Sequence, residues 1–123
     1  MKTDNIIVKK TFALAVEAVK LSQEIQLNKK EFIISKQFMR SATSIGAMVS
    51  EAQYAESKAD FIHKLSIALK EAHETEYWLE LMLATNFVEI NAVAAINDLL
   101  RESARMLTTI IKTSKNNSKI TSN

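Results

Sequence analysis

The sequence predicts an all-α protein, a single antiparallel four-helix bundle in up-down-up-down order. Three observations predict it. There is no Pro and one Gly, Gly46, so the residues that punctuate β-hairpins are nearly absent. Four segments carry apolar residues at helical spacing, and only a few residues separate them. The 123 residues, 47% hydrophobic and 24% charged, fit one soluble globular domain.

The first helix is predicted over 4–27, with one apolar face through Ile7, Leu14, Ala18, Leu21 and Ile25 and a second through Val8, Phe12, Ala15 and Val19. The second is predicted over 31–55, through Ile34, Phe38, Ala42, Ile45, Val49 and Ala52. The third, over 58–85, starts after Ser57, a good N-cap with Asp60 three residues on as its capping-box partner. Its core stripe reads Phe61, Leu65, Ala68, Leu69, Ala72, Leu79 and Leu83, and Asn86 ends it. The fourth, over 91–113, runs through Val93, Ile96, Leu99, Leu100, Met106, Leu107 and Ile110. Residues 1–113 thus form the bundle, and 114–123 are expected to be a polar flexible tail. Short connections make neighbouring helices antiparallel.

The apolar pattern exceeds what a monomer needs. On a wheel, the apolar and small residues of the first helix cover roughly 220°, where a core-facing stripe needs only somewhat over 100°. In the third helix, Ile67, Trp78 and Leu81 are read as lying opposite the core stripe. Such patches are rarely left wet, so a homo-oligomer is expected.

The chemistry-bearing residues do not assemble into a motif. Glu71 and Glu74 fall on the non-core side of the third helix, and Glu76 falls near the apolar stripe. A di-iron bundle needs Glu-x-x-His on two helices, and no such spacing occurs here. His63 and His73 are ten residues apart on one helix and cannot share a tetrahedral site. "HETEY" (73–77) lacks the second His of a zincin. Ser41, Thr43 and Ser44 have no His placed in sequence to activate them, and no phosphate-binding Gly-rich loop is present. With no Cys, there is no disulfide or thiolate site. The expectation is no enzyme, no catalytic or metal residues and no cofactor.

The outer side of the second helix carries Lys36, Arg40, Thr43, Ser44, Ala47, Glu51 and Tyr54. A solvated face is the plain reading. Arg and Tyr are also interface residues, and Arg40 can pair with a carboxylate, Glu71 or Glu74, of a neighbouring subunit. Gly46 costs about 1 kcal/mol relative to Ala in a helix and suggests close approach of another backbone.

Charge is uneven. The chain termini and the 2–3 turn share one end of such a bundle. That end holds eight lysines (Lys2, Lys9, Lys10, Lys58, Lys64, Lys112, Lys115, Lys119) against Asp4, Glu56 and Asp60, net +5. The remaining 8 basic and 11 acidic residues give net −3. A ring of subunits would gather these basic ends on one surface, attractive to phosphates. No aromatic residue sits among these lysines to stack bases. The opening "MKTDNIIVKK" has no secretory character, no segment is apolar enough to span a membrane, and the cytoplasm is the expected location.

The stretch "SKQFMRSATSIGAMVSEAQYAESKADFIHKLSIALKEAHETEYWLELM" resembles the family of 23S rRNA intervening-sequence proteins. Its helix-2 pattern Arg-Ser-x-x-Ser-Ile-x-x-Asn-x-x-Glu-Ala is matched by Arg40, Ser41, Ser44, Ile45, Glu51 and Ala52. Its helix-3 pattern is matched by Asp60, Phe61, Ala68, Lys70, Glu71, Glu74, Tyr77, Trp78 and Leu79. Met48 departs from it, standing where the family often has Asn. The resemblance spans 5–88, with the last helix consistent.

The resemblance implies a bacterial four-helix bundle protein of uncharacterised function, with no established enzymatic activity. The family is similar to the accessory proteins of diversity-generating retroelements, which are pentameric and bind nucleic acid and a reverse transcriptase. The implied assembly is therefore a homopentamer. Its implied partners are RNA or DNA and a nucleic-acid-processing protein, with no membrane. The expected nucleic-acid residues are Lys2, Lys9, Lys10, Lys58, Lys64, Lys112 and Lys115. The expected subunit-interface or family-motif face is Arg40, Thr43, Ser44, Glu51, Ile67, Lys70, Glu71, Glu74 and Trp78. The alternative is a structural or protein-partner assembly module with no affinity for nucleic acid.

Overall fold

The computed structural model describes the backbone of residues 5–122 and the side chains of residues 5–117. Lys2 and the side chain of Lys119 lie outside them. The order is α1 (Ile6–Lys29), α2 (Ile34–Ala52), α3 (Lys58–Ala84), a short 3-10 turn (Ile90–Val93) and α4 (Ala94–Ser122). No strand occurs among the described residues. In the antiparallel bundle α2 packs between α1 and α3, and α4 closes the ring of contacts between α3 and α1. No helix among the described residues is long and apolar enough to cross a membrane.

The core is a continuous apolar column. Ile7, Leu14, Ala18 and Ile25 meet Phe38, Ala42, Ile45 and Val49, then Leu65, Ala68, Leu79 and Met82, then Ile96, Leu100 and Leu107. Burying each large side chain contributes about 1.5–3 kcal/mol. Helical spacing puts these residues on one stripe per helix, as the sequence requires.

The helix ends have identifiable causes. α1 stops at Lys30, whose φ of 55° is left-handed, a conformation that costs a residue with a Cβ about 1–2 kcal/mol. Glu31, expected to open α2, instead caps it. Its carboxylate accepts from the amides of Ile33, Ile34 and Ser35 at 2.8–2.9 Å. Burial pushes the Glu31 carboxyl up, but those amides and the Ser35 hydroxyl outweigh it and hold it below its ordinary value. α2 ends at Ala52, short of the expected 55, because Gln53, Tyr54 and Ala55 donate three residues back rather than four. It is therefore 19 residues, about 28 Å, and not 25.

The Ser57 hydroxyl accepts from the Asp60 amide at 3.0 Å, as the cap requires. The reciprocal bond goes elsewhere, since Asp60 accepts from the Glu56 amide at 3.2 Å. α3 closes in a Schellman motif. Asn86 donates to the Leu83 carbonyl and Phe87 to that of Met82, with Asn86 at φ 65°. Residues 114–122, read from sequence as a tail, continue α4.

Two expectations for α3 are corrected. Glu76 is exposed, not near the core stripe. Ile67, Trp78 and Leu81 are half-buried flanks rather than an opposite face, and Trp78 packs against the core. The buried positions of α3, Leu65, Ala68, Ala72, Thr75, Leu79 and Met82, recur at alternating three- and four-residue spacing, a seam that takes in Thr75 and leaves Glu76 one residue outside it. The fully buried Thr75 hydroxyl lies 2.9 Å from that of Ser41 and 2.7 Å from the Glu71 carbonyl.

Candidate functional site

Among the described residues the surplus apolar face of α1 is only partly covered, with Val8, Ala15 and Val19 half-buried. Phe12 is 69% exposed. With Val8 and Ala15 it faces Thr43, Gly46, Ala47 and Ser50 across an apolar groove of about 490 Å³ between α1 and α2, and Lys9 stands at its edge. A second apolar strip, Phe12, Ala15, Val16, Val19, continues along α1. The two helices approach closely here because position 46 has no side chain. A Cβ on Gly46 would meet the Thr11 carbonyl oxygen at 3.2 Å. The backbone that Gly46 admits is therefore that of α1 in the same chain.

The expected interface residues divide between elements. Arg40 and Glu51 are exposed on α2, and Thr43 and Ser44 are half-buried. Both hydroxyls are spent on α2 itself, Thr43 donating to the Met39 carbonyl at 2.8 Å and Ser44 to that of Arg40 at 2.7 Å. Of the nine, Thr43 is the one that lines the groove. Glu51 sits at the α2–α3 turn with Tyr54, Glu56, Asp60 and Lys64. Lys70 is exposed on α3, and Ile67, Glu71, Glu74 and Trp78 are half-buried there.

The Glu74–Trp78 pair stands out. Glu74 Oε2 and Trp78 Nε1 are buried, yet neither has a hydrogen-bond partner among the described residues. One is an acceptor and the other a donor, one helical turn apart. Trp78 is braced edge-on by the Tyr77 ring, with centroids 5.0 Å apart. Arg40 belongs to none of the ion pairs among the described residues.

The basic end is less basic than its lysine count implies. Lys10 is in an ion pair with Glu102 of α4, and its hydrogen bond to that carboxylate holds Glu102 below its ordinary value. Lys64 pairs with Asp60 at 3.2 Å. The Asp60 carboxyl is lowered chiefly by the Glu56 amide and then by Lys64. These two lysines are not free for an outside anion. Lys9, Lys58, Lys112 and Lys115 are exposed. The topology does bring the start of α1 to the end of α2, where Asn5 donates to Gln53 at 3.1 Å.

No group of three His, Asp or Glu side chains among the described residues is placed to hold a metal ion. His63 and His73 are exposed. Ser41 is fully buried and donates to the Phe38 carbonyl at 3.1 Å.

Sequence reasoning missed Arg101 and Arg105. Both are exposed on the outer face of α4, in register with Lys112 and Lys115. Their i, i+4, i+11, i+14 spacing is the signal that finds them.

No curated protein matches the chain. A solved structure that does is a protein of unknown function from the S23 ribosomal protein family of Bacteroides thetaiotaomicron VPI-5482. It is 47% identical over 86% of this chain and 98% of its own, with a TM-score of 0.84. The family pattern of the 23S rRNA-intervening sequence proteins matches residues 3–109. It thus takes in all of α1, α2 and α3 and the first half of α4, and the chain belongs to the 23S rRNA-intervening sequence protein family.

Proposed function

We propose that this protein is a non-enzymatic, cytoplasmic homopentamer that binds nucleic acid or a nucleoprotein through basic surfaces. The observation that carries the assembly is the uncovered groove around Phe12. An aromatic ring exposed on an apolar strip is the feature that an interface core removes from water. Arg40, exposed and outside the ion pairs among the described residues, supports a polar contact with the half-buried Glu74 of a neighbouring subunit. Assembly repeats the exposed lysines around a ring, which converts a chain of net charge +2 into a surface with a concentrated positive field.

Fluorescence anisotropy of labelled structured RNA and duplex DNA tests the binding. The expected result is micromolar or tighter affinity at low salt that fades steeply as salt rises. Absence of binding at low salt would contradict it. The second reading, an assembly module without nucleic-acid affinity, is favoured by one observation. Lys10 and Lys64 are neutralised inside the chain.

A further inference from the structure

We infer that the outer face of α4 is the surface that docks on nucleic acid, through the phosphate backbone of a double helix. This rests on the nucleic-acid reading above and names its contact surface.

Arg101, Arg105, Lys112 and Lys115 are all exposed, and none is in an ion pair among the described residues. With Thr108 between them they fall within an arc of roughly 80° on the helix, so they form one straight stripe. From Arg101 to Lys115 the stripe is about 21 Å long at 1.5 Å per residue. The nearest acid in sequence, Glu102, is engaged by Lys10 of α1. From Ser103 to Asn123 there is no Asp or Glu at all.

The end lysines offer no equivalent. Lys10 and Lys64 are paired, and Glu51, Glu56 and Asp60 cluster at the α2–α3 turn.

A duplex fits the stripe better than a single strand or a protein. A double helix carries one negative charge per about 1.7 Å of axis, so the 21 Å stripe spans a length that holds about twelve phosphates on its two strands, more than enough to meet four cations. Single-strand binders stack bases on aromatic rings, and residues 94–123 contain no Phe, Tyr or Trp. A protein partner would find no large apolar anchor on the stripe.

The test uses the full chain and 20-base-pair duplexes of RNA and DNA, titrated between 50 and 200 mM salt. One variant carries Arg101→Gln, Arg105→Gln, Lys112→Gln and Lys115→Gln, which keeps helix propensity. A second, at the opposite end of the bundle, carries Lys29→Gln and Lys30→Gln, both exposed and outside every surface assigned above. Circular dichroism and solution mass are recorded for both. The α4 variant is expected to bind at least about tenfold more weakly, with the log–log salt slope shallower by up to about 3.6 units, at about 0.9 for each of four lost phosphate contacts. The second variant is expected to keep most of its affinity. Unchanged affinity and slope in the α4 variant, with the wild type binding, would overturn the stripe and leave the nucleic-acid reading standing. A changed solution mass in the α4 variant would overturn it in favour of a contact between copies. No binding by the wild type at 50 mM salt would overturn both.

Discussion

Gly46 of α2 stands so near Thr11 of α1 that a Cβ on it would lie 3.2 Å from the Thr11 carbonyl oxygen and 3.5 Å from its carbon. This contact sets how close α1 and α2 come, and so shapes the groove that Phe12 borders. Ala at position 46 gains about 1 kcal/mol of helix propensity but obliges α1 to yield by a few tenths of an ångström. Thr11 is fully buried and its hydroxyl is tied to the Ile7 carbonyl at 2.8 Å, so that yielding has a cost. Gly46→Ala is expected to fall within about 1 kcal/mol of wild type, and Gly46→Val to lose about 1–3 kcal/mol by overpacking. Urea unfolding at fixed protein concentration measures both.

Glu31 caps α2 through three amides. Glu31→Ala is expected to destabilise the protein by about 0.5–2 kcal/mol at pH 7. The folded-state pKa of this carboxyl is lowered. The stabilisation is therefore full above the ordinary value of 4.5 and disappears as pH falls through the folded value. The difference between wild type and variant should shrink between pH 6 and pH 3, and a constant difference across that range would contradict the carboxylate cap.

Ser103 occupies a core position of α4 between Leu100 and Leu107. It is fully buried, and its hydroxyl has no hydrogen-bond partner among the described residues. An unmade hydrogen bond of this kind costs about 1–3 kcal/mol. Ser103→Ala is expected to raise stability by about 1 kcal/mol in thermal or urea unfolding. A loss of stability would mean that the hydroxyl is satisfied in solution.

Much of the fold was legible because hydrophobic period reports on burial. Leu14, Ala18, Ile25, Phe38, Ile45, Val49, Leu65 and Leu79 are all in the core where the spacing put them. Ser57 caps α3 for the reason its side chain suggests. The errors come from polar atoms with tertiary partners. Thr75 sits in the core with its hydroxyl in hydrogen-bond reach of the Ser41 hydroxyl and the Glu71 carbonyl, and no apolar pattern registers those contacts. Glu31 reads equally well as a first-turn acid or as a cap until the chain direction before α2 is known. The partly covered α1 face was legible as surplus apolar arc. The loss of Lys10 to Glu102 was not, because it depends on α1 and α4 lying side by side.

Arg40 and Glu74 test the polar part of the assembly. In the proposed interface the guanidinium of one subunit meets the carboxylate of the next. Either Arg40→Ala or Glu74→Ala should lower the apparent melting temperature and shift the assembly toward smaller species. Removing one partner of a buried charged contact costs about 3–5 kcal/mol. The double variant should lose less than the two losses added together. Additive losses would show that the two residues do not meet.

In the proposed assembly the Phe12 face is closed by other copies of the chain. Sedimentation equilibrium of the wild type and of Phe12→Glu reads this out. The wild type is expected at a mass near five copies of 13.8 kDa, about 69 kDa, for a closed cyclic assembly. The variant is expected to collapse toward 13.8 kDa, with the helical circular dichroism retained. A wild type that sediments at 13.8 kDa, or a Phe12→Glu variant of unchanged mass, would contradict it.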